Sequence, residues 1–289
     1  MNAKRKKLRE LLAGSRMIVA PGAPDALTAR IIEEAGFDVC YMGGNSAVAQ
    51  MLGVPDIGLA TFSEMIERAR NIANAISIPL VCDADTGYGN VNNVVRAVRA
   101  YEQAGLAGIH LEDQVTPKKC GAMDGLQLVS IEESASKIRA ACHARQDPDF
   151  VIIARTDSRA VAGLDEAIRR IQAFEKAGAD IVYVEMLQSL DEVKRVVESV
   201  SVPVLYDVLE LSEELTFTNA DLEAAGVKMA IYSMSSILYS TAIMRKFMAD
   251  LKANGTTRDK VKDMTSLHDY EVLLGIDEQI ALQRQFDSK

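Results

Sequence analysis

Long apolar runs are missing from this chain. No stretch approaches the roughly 18 apolar residues that a membrane span needs, so the sequence does not read as membrane-embedded. Positive charge is in deficit: 32 lysines and arginines stand against 41 aspartates and glutamates, a formal net charge of −9. That balance argues against nucleic acid or an anionic membrane surface as a partner. It leaves an anionic small molecule open, because a metal ion and a few arginines can reverse the sign locally. Cysteine is sparse and unpatterned: Cys40, Cys82, Cys120 and Cys142 have neither metal-ligand nor disulfide spacing. Cys40 and Cys82 fall in apolar, strand-like runs and read as buried thiols, which fits a reducing cytoplasm. The basic start, Met1 to Arg9, has no apolar stretch behind it and does not read as a signal peptide. Interdomain linkers and low-complexity segments are also lacking.

What the chain does have is a core-forming hydrophobic content of 48% and a recurring phrase. Glu33-Glu34-Ala35-Gly36, Glu102-Gln103-Ala104-Gly105, Glu175-Lys176-Ala177-Gly178 and Glu223-Ala224-Ala225-Gly226 each close a helical segment ahead of an apolar strand. Glycine is the residue a helix needs just past its end, so the phrase marks repeated β/α units. Strands are expected to start near Met17, Asp38, Pro79, Gly108, Phe150, Ile181, Val202 and Met229, with helices over about 63–76, 92–104, 131–145, 164–177, 190–199 and 219–225. Eight such strands predict an α/β fold, a (β/α)8 TIM-type barrel. An open doubly wound sheet is the second choice, and no G-x-G-x-x-G follows the first strand to support it. The barrel is read as one domain over 1–289, carrying a C-terminal helical extension over about 235–289. In that extension a helix over 235–254 precedes another over 266–285. The apolar residues of the last helix pack either on the barrel's outer ring or on another subunit.

The stretch Val81-Cys82-Asp83-Ala84-Asp85-Thr86-Gly87-Tyr88-Gly89 organises the rest. A buried strand runs into two carboxylates two residues apart, which on an extended strand face the same way. A cation between them would relieve their repulsion. Oxygen ligands without histidine or thiolate suit Mg²⁺ or Mn²⁺. An acidic surface turn has the same composition. Other strand ends add Tyr41, Gly43, Gly44 and Asn45; Glu112, Asp113 and Gln114; Arg155, Thr156 and Asp157; Glu185; Asp207 and Glu210. That is one cation among many carboxylates. Asp157 could be a helix cap and Glu210 solvated, but the set as a whole calls for a divalent ion. Gly43-Gly44 either offers backbone N–H groups to an anion or makes a tight turn. The glycine-bearing segment Thr116–Gly125 reads as a hinged lid. Its Lys118-Lys119 pair is expected to lower the pKa of Cys120. His110 reads as an interior histidine, and His143 and His268 as surface ones.

Asp83-Ala84-Asp85-Thr86-Gly87-Tyr88-Gly89, Glu112-Asp113-Gln114 and Lys118-Lys119-Cys120-Gly121 together resemble the isocitrate lyase and phosphoenolpyruvate mutase superfamily, and Cys120 its carbon–carbon lyase branch. The resemblance runs from about Leu12 to the C-terminal helix. It implies a Mg²⁺-dependent barrel acting on 2-oxo or 2-hydroxy acids, and a homotetramer in which the helix after the eighth strand is exchanged between subunits. It implies metal-holding roles for Asp83, Asp85 and Glu112, some through water. Tyr41, Gly43, Gly44 and Asn45 would hold a pyruvate-like end, with Arg155 on its oxygens. Cys120 would be the acid, Lys118 and Gly121 its loop neighbours, and Glu185 and Asp207 further substrate-side positions. The base stays open between Tyr41, Glu112 and a water on the cation. Methylisocitrate lyases have histidine at Ala122, asparagine at Asp207, and arginines at what align as Leu238 and Leu267. A third carboxylate therefore lacks partners here, and the resemblance favours 2,3-dimethylmalate, cleaved to pyruvate and propionate. Methylisocitrate cleavage, phosphonopyruvate or oxaloacetate chemistry and an inactive binding paralogue are the alternatives.

Overall fold

A computed structural model describes residues 2–213 and 216–287. At its centre stand eight parallel strands: β1 (Ile18–Pro21), β2 (Cys40–Met42), β3 (Leu80–Asp83), β4 (Gly108–Leu111), β5 (Val151–Thr156), β6 (Ile181–Val184), β7 (Val204–Asp207) and β8 (Met229–Tyr232). They pair in the order β1-β8-β7-β6-β5-β4-β3-β2. The ring closes where Gly22 bridges Tyr41 and the Ala23 N–H donates to the Tyr41 carbonyl at 2.7 Å. The fold is the expected (β/α)8 barrel.

Around it run α2 (Ala26–Glu34), α3 (Gly44–Leu52), α4 (Phe62–Ala75), α5 (Val91–Gln103), α6 (Ile131–Ala144), α7 (Ser158–Ala162), α8 (Leu164–Lys176), α9 (Leu190–Glu198) and α10 (Asn219–Ala224). Strand residues alternate between two cores. One set, including Cys82, Ile109, Ile152 and Val182, packs against the helices. The other, including Tyr41, Val81, Ile153, Tyr183, Leu205 and Ile231, fills the barrel. The N-terminal helix α1 (Ala3–Ala13) joins this inner cluster through Leu8, with Leu11 and Leu12 beside it. Its basic residues serve carbonyls at neighbouring helix ends: Lys4 Nζ donates to Ala73 and Ile76, and Arg5 Nε to Leu106 at 2.9 Å. The basic start of the sequence is thus part of the barrel.

The recurring glutamate has a structural job. Glu33, Glu102, Glu175 and Glu223 accept backbone N–H bonds from Ser77, Gln146, Ser201 and Met17 respectively. Each ties the end of a helix to the segment entering the next strand of the ring. The glycine of each phrase follows in the left-handed region, φ 85 to 99°.

The chain divides after Ser236 into two compact units. The second carries most of α11 (Ser235–Asn254), a 3₁₀ turn over 258–263, α12 (Leu267–Leu273) and α13 (Ile276–Phe286). One helix was expected over 266–285. Gly275, at φ 80°, splits it in two. Among the described residues no helix is long and apolar enough to cross a membrane.

Candidate active site

The inward parity of the strands carries up to their ends and just past them. Val81 is followed two residues on by Asp83, His110 by Glu112, Ile153 by Arg155, Tyr183 by Glu185, Leu205 by Asp207 and Ile231 by Ser233. Every one of these polar residues is buried. Alternation alone therefore aims them into the mouth at the carboxyl end, where barrels place their chemistry. There they line a cavity with Tyr41, Gly43, Gly44, Asn45, Lys118, Cys120, Gly121, Leu209 and Met234, although Glu112 lies behind its wall. The free volume is about 40 Å³, room for about three waters. Lys118, Cys120 and Gly121 come to this lining from the segment after β4.

Lys118 is the main surprise. It is 5% exposed and turns inward, its Nζ 2.7 Å from Asp56 Oδ2 and 2.8 Å from Asp85 Oδ1. Burial works against its charge, but Asp85, Glu112, Asp83 and Asp56 hold it protonated far above the ordinary lysine range. The mouth thus has two cations, not one. Against Lys118 and Arg155 stand seven carboxylates: Asp56, Asp83, Asp85, Glu112, Asp157, Glu185 and Asp207. Asp56 was missed in the sequence. Only its place in the compact phrase Pro55-Asp56-Ile57-Gly58, ahead of a helix, could have flagged it. Its backbone carbonyl also accepts the Cys120 N–H at 2.9 Å, which fixes the loop over the mouth.

Asp83 and Asp85 do not share a face by strand alternation. The strand ends at Asp83, and Asp85 sits at φ 48°, so a turn brings its carboxylate back to Lys118. Asp83 accepts the Gly44 N–H at 3.1 Å and the Asp85 N–H at 2.9 Å. Burial opposes its ionisation, but the cationic Lys118 and Arg155 hold it below the usual carboxylate range. Burial raises Asp85 to about 6 despite Lys118. The Gly44 N–H, expected to face an anion, is engaged by Asp83. A Cβ at Gly44 would come 2.6 Å from Asp83 Oδ2, so only glycine permits this approach.

Among the described residues, no three His, Cys, Asp or Glu side chains converge closely enough to hold a metal by themselves. The donor chemistry nonetheless fits a hard cation. Asp83, Asp85 and Glu112 surround one buried ammonium, and Glu112 Oε1 has no hydrogen-bond partner. Mg²⁺ characteristically takes one or two carboxylates and keeps several waters. The Lys118→Met variant should lose about 3–5 kcal/mol of stability in divalent-free buffer, because it strands buried carboxylates. Added Mg²⁺ should return part of this. Urea unfolding measures both, and a loss below about 1 kcal/mol would mean the acids are not held together by the lysine.

Arg155 donates to Asp157 Oδ1 at 3.0 and 2.7 Å and lies 3.2 Å from Glu185 and 3.6 Å from Glu112. Asp157 also accepts from Gln114 at 2.9 Å. It is thus a partner of Arg155 and makes no side-chain cap bond to α7. Gly121 packs against this group, where an added Cβ would meet Arg155 Nη2 and, at 2.8 Å, Asp157 and Glu185. Asp113, of opposite parity, leaves the mouth for Arg170 at 2.9 Å. Glu210 and Ala122 are exposed and do not line the cavity. His110 is wholly buried: its Nε2 meets the Tyr41 hydroxyl at 2.6 Å, and burial pulls it down to about 4, so the ring is neutral.

The expected lowering of the Cys120 pKa is overturned. Burial pushes the thiol up and Glu185 adds to this, outweighing the Ala122 N–H, the Asn45 side chain and Arg155. Neither lysine faces the sulfur: Lys118 turns to its carboxylates and Lys119 Nζ to the Asp124 carbonyl at 3.5 Å. Cys120 is therefore a protonated thiol at the cavity, suited to giving up a proton and unsuited to nucleophilic attack.

A barrel mouth built in this way defines an enzyme for small, oxygen-rich acids. The chain belongs to the phosphoenolpyruvate phosphomutase family, whose model matches residues 8–252. It is 45% identical over 271 residues to the 2,3-dimethylmalate lyase of Eubacterium barkeri, covering 94% of each chain. It is 36% identical over 278 residues to the 2-methylisocitrate lyase of Halalkalibacterium halodurans, covering 96% of this chain and 92% of that one. Oxaloacetate acetylhydrolase in complex with 3,3-difluorooxalacetate is a structural neighbour at TM-score 0.93 and 33% identity, with 99% and 98% coverage. Phosphonopyruvate hydrolase complexed with oxalate and Mg²⁺ is another, at TM-score 0.89 and 35% identity, with 98% and 99% coverage.

Proposed function

We propose that the protein is a Mg²⁺-dependent carbon–carbon lyase that cleaves a 2-hydroxy dicarboxylate, 2,3-dimethylmalate fitting best, to pyruvate and propionate. The observation that carries this reading is the half-buried, protonated Cys120 at the cavity. Breaking the C2–C3 bond of a 2-hydroxy acid leaves an electron pair on C3, and that carbon needs a proton.

Asp83, Asp85 and Glu112 would hold the cation. When bound, it supplies Lewis-acid polarisation of the 2-oxygen and the adjacent carboxylate. Asn45 and Arg155 orient the pyruvate end. Burial, and then Asp83, keep the Tyr41 phenol protonated, so Tyr41 donates to the substrate and does not act as the base. Glu112 is raised well above the usual carboxylate range, chiefly by burial, and does not line the cavity, so the hydroxyl proton passes to a water in the mouth. C2–O becomes a carbonyl, the C2–C3 pair stays on C3, and the Cys120 thiol protonates it. Closure of the loop excludes water from the carbanion.

Leu209 and Met234 give the cavity an apolar wall beside Asp207, which suits alkyl substituents. A third carboxylate would have no free cation to meet, since Lys118 and Arg155 are already engaged. Similarity to oxaloacetate acetylhydrolase supports a second reading, hydrolysis of oxaloacetate. Pyruvate release should be assayed with 2,3-dimethylmalate, methylisocitrate, oxaloacetate and phosphonopyruvate, with oxalate release followed for oxaloacetate. The lyase reading expects kcat/KM on dimethylmalate to exceed the others by about 10²-fold or more, the scale of one mismatched polar group. Oxalate formation as the fastest reaction would displace it.

The assembly proposed is a homotetramer exchanging α11. In the single chain that helix has no buried residue, and Leu238, Tyr239, Ile243, Met244 and Met248 stand exposed. A cytoplasmic location suits its four free thiols.

A further inference from the structure

Asp207 is held oddly for a carboxylate. Its Oδ2 accepts the Ser233 hydroxyl at 2.7 Å and faces the Tyr183 hydroxyl at 3.3 Å, and its Oδ1 accepts the Ser233 N–H at 3.3 Å. The same Tyr183 hydroxyl donates to Glu185 Oε2. A phenol has one hydrogen, so it cannot serve both carboxylates at once. Glu185 has Arg155 at 3.2 Å, but that guanidinium is shared with Asp157. Among the described residues Asp207 has no ion pair of its own. It is 9% exposed, and Leu209 and Met234 line the cavity with it. An ionised Asp207 there would face the second carboxylate of any diacid at close range and in a poorly solvated place.

We infer that Asp207 meets the distal carboxylate of the substrate as a neutral carboxyl, so that each diacid is bound together with one proton. This rests on the 2-hydroxy diacid reading and adds to it the device that admits a second negative charge. A neutral carboxyl has one O–H to donate, which turns a repulsive contact into a hydrogen bond. The groups facing Asp207 are Tyr183 from β6 and Glu185 just after it, Arg155 from β5, Tyr41 from β2 and the uncharged Ser233 after β8. Both phenols are raised well above the ordinary tyrosine range, chiefly by burial. Burial, and then Glu185, push Asp207 up to about 7, with Ser233 and Arg155 opposing. The sign follows. Below that pH the carboxyl is neutral and donates. Above it the carboxyl ionises and repels the diacid, so kcat/KM falls through KM by about tenfold per pH unit.

The test is the pH profile of 2,3-dimethylmalate cleavage with saturating Mg²⁺, for wild type and three variants. Asp207→Asn keeps a donor that cannot ionise, so the ratio of its kcat/KM to that of wild type should rise about tenfold per unit above the midpoint. Glu185→Gln removes the negative neighbour and should move the wild-type limb to lower pH. Ser233→Ala removes a donor to the ionised form and should move it higher. If Asp207→Asn keeps the alkaline limb and Glu185→Gln abolishes it, the proton sits on Glu185 and the inference fails. A second readout is independent of turnover: calorimetric titration with 2,3-dimethylsuccinate at pH 8, in two buffers of different ionisation enthalpy. About one proton should be taken up by wild type and none by Asp207→Asn. Equal uptake in the two proteins overturns the inference. Proton uptake without cleavage of any 2-hydroxy diacid would count against the lyase reading and still support the role of Asp207.

Discussion

Cys120→Ser lowers carbon–carbon cleavage by about 10²–10⁴-fold, the range for a lost general acid, while the protein still folds and binds pyruvate. The substitution exchanges one small polar atom for another at a half-buried site and leaves the Cys120 N–H bond to the Asp56 carbonyl in place. What changes is acidity. A serine hydroxyl is a far weaker acid than a thiol, even one that burial pushes up as here. If the carbanion waits for this proton, kcat and kcat/KM fall together, the signature of an interaction made only in the transition state. Pyruvate release under single-turnover conditions reads the chemical step, and calorimetric titration with pyruvate and Mg²⁺ reads binding. Turnover at the wild-type rate would remove Cys120 from the chemistry.

Much of the barrel was legible because its cues are local. Apolar runs mark the strands, and all eight begin within about two residues of the expected place. Ala-Gly pairs mark four helix ends. The strand-end acids were legible for the same reason, since parity needs only the strand's position. What stayed hidden depends on contacts distant in sequence. The nine-residue helix Gly44–Leu52 begins on glycine, a poor helix former, and its first N–H is received by Asp83, 39 positions on. Lys118 looked like charge beside a cysteine. Nothing local shows that Asp56, 62 positions back, draws it inward. That error propagated to Cys120, whose surroundings are set by burial and not by its chain neighbours. Asp85 was placed by strand alternation one step past the strand's end. Gly275 was read through, because one glycine inside an apolar periodicity costs only about 1 kcal/mol, and here the chain uses it in the left-handed region.

The account stands on a divalent cation shared between the mouth's acids and the substrate. Even with Asp207 neutral, Lys118 and Arg155 face six other acidic side chains in the mouth, and a diacid substrate adds to the excess. Without a divalent ion the substrate is repelled and its 2-oxygen goes unpolarised. The most direct measurement is pyruvate release from 2,3-dimethylmalate by protein stripped of divalent ions with a chelator and then resupplied with Mg²⁺. The predicted result is a fall of at least about 10³-fold, corresponding to about 4 kcal/mol of lost stabilisation, with recovery on adding Mg²⁺. Undiminished pyruvate release by the stripped protein would contradict it.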